Sequence, residues 1–453
     1  MNILAFAAAS VIGAAYFSFR RRTVDLFAVA YGGCIFYFLP LFVGSVPERG
    51  ELPTDLMISL PAGIYAVGIG VTASIFVAAA LFDRLRLSTS KIDTSTTSSI
   101  GLSTWYLLFA LIGLFGSIRS GAIFNLDKLI VLDQVGYWFI LFETGTALAV
   151  ADAFLYRMRW HLVVSIILLF VDVFIGFRTI TIMTVIACVL LKLGSYGPLQ
   201  LWRKTPILGL GVAVLFLAMV AVNPFRYAWL PHLEIFSEPA QIPKNSNAEL
   251  PLAPRINDAR PATRRPDEGR HGISEPLADR TATVFTRFLD FQNIEPFVTQ
   301  AILAKMILHE FSCSPRNILN IAYIVPFAGL IFGAPEKFES EFKPALFPNY
   351  KYGLAGNIWA ETFCRFGYLG IVSAVIIFIL SIAVMQILLF RAFPIALPAL
   401  ALSGVFLAFY VHRNDLLFEL LLIRRVLLVF GVAWLLEVVW SKIAPRLDRR
   451  VVR

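Results

Sequence analysis

Long runs of apolar residues follow one another along this chain, separated by short polar stretches, and several extend for about 18 residues or more without an internal charge. Such a run is long enough to cross roughly 30 Å of hydrocarbon as a helix. The pattern predicts about eleven helical spans, at 2–19, 24–44, 60–82, 100–117, 135–155, 162–176, 180–196, 206–222, 357–390, 394–411 and 425–441. The runs lack the alternation of barrel strands, so the expected fold is an all-α polytopic bundle. Composition agrees. Hydrophobic residues make up 58% of the chain and charged ones only 15%, with a mean hydropathy of +0.75, far from a soluble domain.

Charge then orients the bundle. Arg20, Arg21 and Arg22 follow the first apolar run, whereas a signal peptide carries its positive charges ahead of the core. Under the positive-inside rule the N-terminus is expected outside and the triplet in the cytoplasm. Counting alternately, the cytoplasmic segments hold Arg84, Arg86 and Lys91, then Arg157 and Arg159, then Arg203 and Lys204, then Arg391, and finally a basic tail over 442–453. The outer loops hold only scattered charges, such as Arg49, Arg119, Lys128, Arg178 and Arg413. A net charge of +9 thus follows from membrane orientation and calls for no nucleic-acid partner.

The chain divides into an eight-span bundle over 1–222, a large outer, periplasmic loop over 223–356 and three C-terminal spans over 357–441. Within the loop, 237–282 is rich in proline and mixed charge and too poor in large apolar groups to fold alone. Residues 283–334 read as amphipathic helices that lie along the membrane surface or dip into it, followed by a re-entrant or interfacial segment, with a break near Glu295 because Pro296 suits a first turn. The four cysteines show no CxxC or Cys/His ligand spacing, which argues against a structural zinc and against a disulfide framework. No metal site, Gly-rich nucleotide loop or GxSxG elbow is present in the sequence, so neither ATP-driven work nor serine hydrolysis is indicated.

The candidate chemistry lies in the arginines expected on the outer side: Arg178, Arg226, Arg287, Arg365, Arg413, Arg424 and Arg425. An arginine near the bilayer centre costs about 2.5 kcal/mol or more, so several at span ends call for an anion. Guanidinium forks bind phosphate oxygens bidentately and keep their charge, as a diphosphate leaving group requires. The plain alternatives are snorkelling for Arg424 and Arg425, pairing of Arg178 with Asp172, and an i,i+3 helix pair for Arg287 with Asp290. Asn357, Glu361 and Arg365 share one helix face at the mouth of a predicted span. Either they form an ion pair that caps the span, or Glu361 accepts a hydrogen bond or proton from a sugar hydroxyl. Tyr227, Trp229, Tyr350, Tyr352 and Trp359 are candidates for stacking on sugars or anchoring at the interface, and His309 and His412 read as solvated.

Three stretches, "FIGFRTITIMTVIACVLL", "IVPFAGLIFGAPEKF" with "GLAGNIWAETFCRFGYLGIV", and "HRNDLLFELLLIRRVLLVFG", resemble the Wzy-type oligosaccharide repeat-unit polymerases of O-antigen and capsule assembly. The resemblance implies a bundle like that of the O-antigen ligases and other lipid-linked (GT-C) glycosyltransferases of the bacterial inner membrane. It implies inverting transfer of a glycan from undecaprenyl diphosphate to a second lipid-linked repeat unit, with no cofactor. The implied partners are undecaprenyl-diphosphate-linked oligosaccharides, membrane lipids and a chain-length regulator of the Wzz type. Arg178, Arg287, Arg365, Arg413 and Arg425 would hold diphosphate, and Glu361, Asp290 or Glu295 would orient or deprotonate the acceptor. The rivals are an O-antigen ligase, which typically uses an outer-loop histidine, and a flippase or lipid transporter, against which the lack of an inverted repeat speaks.

Overall fold

The computed structural model describes residues 2–20, 24–47, 57–85, 100–120, 128–194, 295–326, 328–333, 335, 337–348, 354–391 and 393–451. It is mostly helical, at 85%, as apolar runs that must satisfy their own backbone in lipid require. In chain order come α1 (Asn2–Phe19), α2 (Leu26–Tyr37), the short α3 (Pro40–Val43), α4 (Ala62–Arg84), α5 (Ile100–Arg119), α6 (Lys128–Leu155), α7 (Arg159–Ile175) and α8 (Thr179–Leu193). Further along the chain come α9 (Glu295–Leu308), α10 (Ala328–Phe332), α11 (Phe338–Leu346), α12 (Ile358–Arg391), α13 (Leu397–Phe409) and α14 (Leu416–Val451). A two-stranded antiparallel ribbon, β1 (Ser45–Pro47) with β2 (Met57–Ser59), is a small departure from the all-α expectation.

Among the described residues, six helices or helix segments are long and apolar enough to cross a membrane: Asn2–Phe19, Ala62–Arg84, Gly101–Arg119, Gly136–Leu155, Ile358–Arg391 and Pro394–His412. The protein is therefore membrane-embedded. This number is smaller than the roughly eleven expected: α2, α7 and α8 have fewer than 18 residues, 425–441 lies in α14, which is not one of the six, and 206–222 lies outside the described residues. Large apolar side chains such as Leu4, Phe115, Leu369 and Ile377 are exposed on these helices, a belt that only lipid covers well.

Helix α13 is the centre of the bundle. It is buried on nearly all sides and packs on α2, α6, α8, α12 and α14. Close approach to α2 is possible because Gly33 faces the Phe409 backbone, where a Cβ would come within 2.9 Å of the Phe409 Cα. Hydrogen bonds then define two ends. At one, Arg20 forks onto Asp25 (Nη1 to Oδ1 3.1 Å, Nη2 to Oδ2 2.7 Å) and reaches Asp83 (2.8 Å), while the Leu26 N–H donates to Gln386 (2.8 Å) and Tyr156 donates to the Pro394 carbonyl (2.8 Å). Asp25 also caps α2 by accepting from the Ala28 N–H. Arg20, read from sequence as one of three basic residues that orient the first span, is a buried member of an ion-pair network, only 6% exposed. The opposite end gathers Thr179, Glu295, Glu361 and Tyr410 through contacts described below.

Two sequence expectations change here. Helix α9, described from Glu295 onward, does not lie along the surface. Its residues 299–306 are all buried against α2, α4 and α12, and even Lys305 is held, with Nζ donating to the Leu346 carbonyl and sitting 4.5 Å from the Phe347 ring centroid. The physical reason is that α9 carries apolar or small groups on every side and has other helices to pack against. Helix α12 is also not one straight span. Gly367, at φ 60 and ψ −149, breaks it after two turns, a conformation open essentially to glycine alone. The polar face of 357–365 therefore belongs to a short capped helix set off from the span. Replacing Gly367 with alanine is expected to cost about 1–3 kcal/mol, read as a lower melting temperature in detergent; unchanged melting would show that the break is not required.

Candidate functional site

The short helix at the start of α12 begins on its own cap. Asn357 accepts a hydrogen bond from the Ala360 N–H (2.6 Å), and its amide donates to the Thr299 carbonyl on α9 (3.0 Å). One turn on, Glu361 has both oxygens occupied: Oε1 accepts from Arg365 Nη2 (3.1 Å) and Oε2 from the Leu416 N–H at the start of α14 (2.8 Å). Arg365 continues to Glu341 on α11 (3.2 Å) and donates to the Ser314 carbonyl, with its side chain only 3% exposed. Asn357, Glu361 and Arg365 thus form a clamp that joins α9, α11, α12 and α14. Neither Glu361 nor Arg365 is left with a freely accessible charge.

The clamp is also covalent. Cys313 and Cys364 form a disulfide, with Cα atoms 5.2 Å apart, and the Cys313 N–H donates to the Cys364 carbonyl (2.9 Å). The expectation of no disulfide is corrected here: the two cysteines are 51 residues apart in sequence and no local spacing announces them. Cys34 and Cys188 are free and buried.

The turn from α13 to α14, residues 412–416, is the hub of this end, and each of its residues engages a different partner. His412 is completely buried; its Nδ1 accepts from Trp359 Nε1 (3.2 Å) among Tyr37, Phe38 and Phe378. The solvated reading of His412 and the sugar-stacking reading of Trp359 both give way to a core role. Arg413 pairs with Glu295 through Nε and lies 5.0 Å from the Tyr410 ring centroid. Asn414 donates to Glu419 Oε2 (3.2 Å), and Asp415 caps α14 by accepting from the Phe418 N–H (2.8 Å). Arg178 is the residue before α8, and the next residue, Thr179, bonds Tyr410 (3.0 Å), so Arg178 is brought beside the end of α13. Arg424 donates to the Tyr323 carbonyl (2.6 Å), and Arg425 interacts electrostatically with Glu143 on α6.

Of the residues singled out by sequence, the fold brings Arg178, Glu295, Glu361, Arg365, Arg413 and Arg425 to one end of the bundle. Arg226, Arg287 and Asp290 lie outside the described residues. Sequence reasoning passed over Glu341, Asp415 and Glu419. Asp415 and Glu419 carried a legible signal, since "RNDLLFE" is a polar turn with an N-cap residue between two apolar runs. Burial pushes the Glu419 carboxyl up to about 8, ahead of the Asn414 bond that lowers it, and pushes Asp415 up to about 6. Among the described residues no group of three or more His, Cys, Asp or Glu could hold a metal ion. An almost wholly apolar cavity of about 450 Å³ lies apart from this end, between α6, α7 and α8, lined by residues such as Phe154, Leu169 and Cys188.

No family model, no curated protein and no solved structure matches the chain.

The disulfide yields a direct test. Cys313 and Cys364 should resist maleimide until the protein is reduced, and Cys313→Ser should lower stability by about 2–4 kcal/mol in a thermal melt under oxidising conditions. Labelling of both without reductant would remove the cross-link.

Proposed function

We propose that this chain is an inverting membrane glycosyltransferase that polymerises lipid-linked oligosaccharide repeat units, taking the growing glycan from undecaprenyl diphosphate. The observation that carries the reading is the gathering of cationic and carboxylate side chains, Arg178, Arg413 and Arg425 with Glu295 and Glu361, at one end of an apolar bundle. Charges so placed in a membrane protein mark substrate sites by default. The Cys313–Cys364 bond lies within this end, and disulfides persist outside the reducing cytoplasm, which favours a periplasmic site in the inner membrane. Arg20, Arg84, Arg159 and Arg391 fall at the other end, the cytoplasmic one on this reading.

The physical logic is electrostatic. A diphosphate departs without protonation, so fixed guanidinium groups facing the leaving oxygens lower the barrier more than an acid would. Arg413 is better placed than Arg365, because its side chain is 27% exposed whereas Arg365 is enclosed by Glu361 and Glu341. Glu361, with both oxygens committed, positions the turn rather than taking a proton. The Wzz-type chain-length partner and the identity of the acceptor belong to the same proposal.

A strain lacking the gene should show lipid A core capped by a single repeat unit on a gel of surface glycan, and the wild-type gene should restore the ladder. Arg178→Ala and Arg413→Ala should give the single-repeat profile at normal protein level. Bare core with intact lipid-linked polymer would mean a ligase instead, and loss of all outward-facing repeats would mean a transporter.

A further inference from the structure

The first turn of α14 holds two carboxyls four residues apart, Asp415 and Glu419, in unequal surroundings. Glu419 is 1% exposed; Oε2 accepts from Asn414, while no described residue donates to Oε1. Asp415 is half-buried at the rim. Its Oδ1 is occupied by the Phe418 N–H, and no described residue donates to Oδ2. The charged groups facing Asp415 are Glu361 and Arg365 on α12, Glu339 on α11 and Glu419 on its own helix. Of these, Arg365 is already matched by Glu361 and Glu341, and Glu339 by Lys343 (3.0 Å). Asp415 thus stands among carboxylates whose cations are spent, beside a deeply buried carboxyl that holds its proton. Two titratable groups whose environments separate them in this way are the usual acid and base of a site.

We propose that Asp415 is the proton acceptor of this site and that Glu419 is a positioning residue, neutral in the working enzyme, that leaves Asp415 as the ionised member of the pair. The proposal rests on the glycosyl-transfer reading above. In the step it describes, a hydroxyl oxygen of the acceptor sugar forms a bond to the donor's anomeric carbon and the hydroxyl proton passes to Asp415 Oδ2. The bond from that carbon to the diphosphate oxygen breaks, and the electron pair leaves with the diphosphate. Asp415 ionises above about 6, so the rate should fall as pH drops through that value.

A bare capping role makes a different prediction, and one substitution separates the two. Serine caps a helix about as well as aspartate but cannot accept this proton. Lipid-linked repeat units extracted from the deletion strain would be supplied to the purified full-length protein in nanodiscs, with polymer measured from pH 5 to pH 8. Wild type should show an acid limb with a midpoint near 6. Asp415→Ser and Asp415→Asn should lose roughly 10²–10⁴-fold in rate, with Asp415→Ser melting as wild type does. Glu419→Gln, which mimics the neutral acid, should keep the acid limb near 6, and a displaced limb would overturn the positioning role of Glu419. Polymerisation by Asp415→Ser within tenfold of wild type, with an unchanged pH profile, would overturn the assignment of Asp415. No polymer from the wild type would overturn the functional reading and the base with it.

Discussion

A charge withdrawn from water must find an opposite charge and fill its remaining hydrogen-bond sites, or its cost exceeds what the fold can supply. The end of the bundle that holds Glu361 is organised around that requirement. Glu361 answers Arg365 with one oxygen and the exposed N–H at the start of α14 with the other, and Arg365 answers Glu341 in turn. Because those groups come from α11, α12 and α14, satisfying them also sets how the three helices meet. The disulfide between Cys313 and Cys364 adds a covalent tie at the same junction.

The same rule shapes the opposite end differently. There a single arginine, Arg20, serves two aspartates, and one of them also caps α2. Every carboxylate oxygen of Asp25 and Asp83 is engaged there, and within the network Arg20 Nε alone lacks an acceptor among the described residues. At the Glu361 end the closure is incomplete, since Glu419 Oε1 and Asp415 Oδ2 lack donors among the described residues. A carboxyl oxygen left without a donor is where a substrate's own donors can enter.

Much of the helical framework is legible in the chain, because hydrophobic length is set by the thickness of the bilayer and needs no knowledge of neighbours. The segments at 2–19, 60–82, 100–117, 135–155, 357–390 and 394–411 all correspond to long apolar helices. A helical run over 295–308 was equally readable from its apolar content. What surrounds α9 was not: whether such a helix lies on lipid or inside protein depends on which other helices leave it room. The face shared by Asn357, Glu361 and Arg365 was visible from spacing alone, and so was the Glu361–Arg365 pair, yet their other partners lie on other elements, at Thr299, Leu416 and Glu341.

The sequence by itself determined that this is a helical membrane protein with arginines concentrated at certain span ends, because hydropathy and charge act residue by residue. Only the tertiary structure decided which of those charges are spent on one another. Arg365 and Glu361 are matched, His412 and Trp359 are sealed in the core, and Asp415 is left at the rim with an open oxygen. Pairing, disulfide formation and desolvation depend on distances between residues tens to hundreds of positions apart, and those distances exist only once the helices have packed.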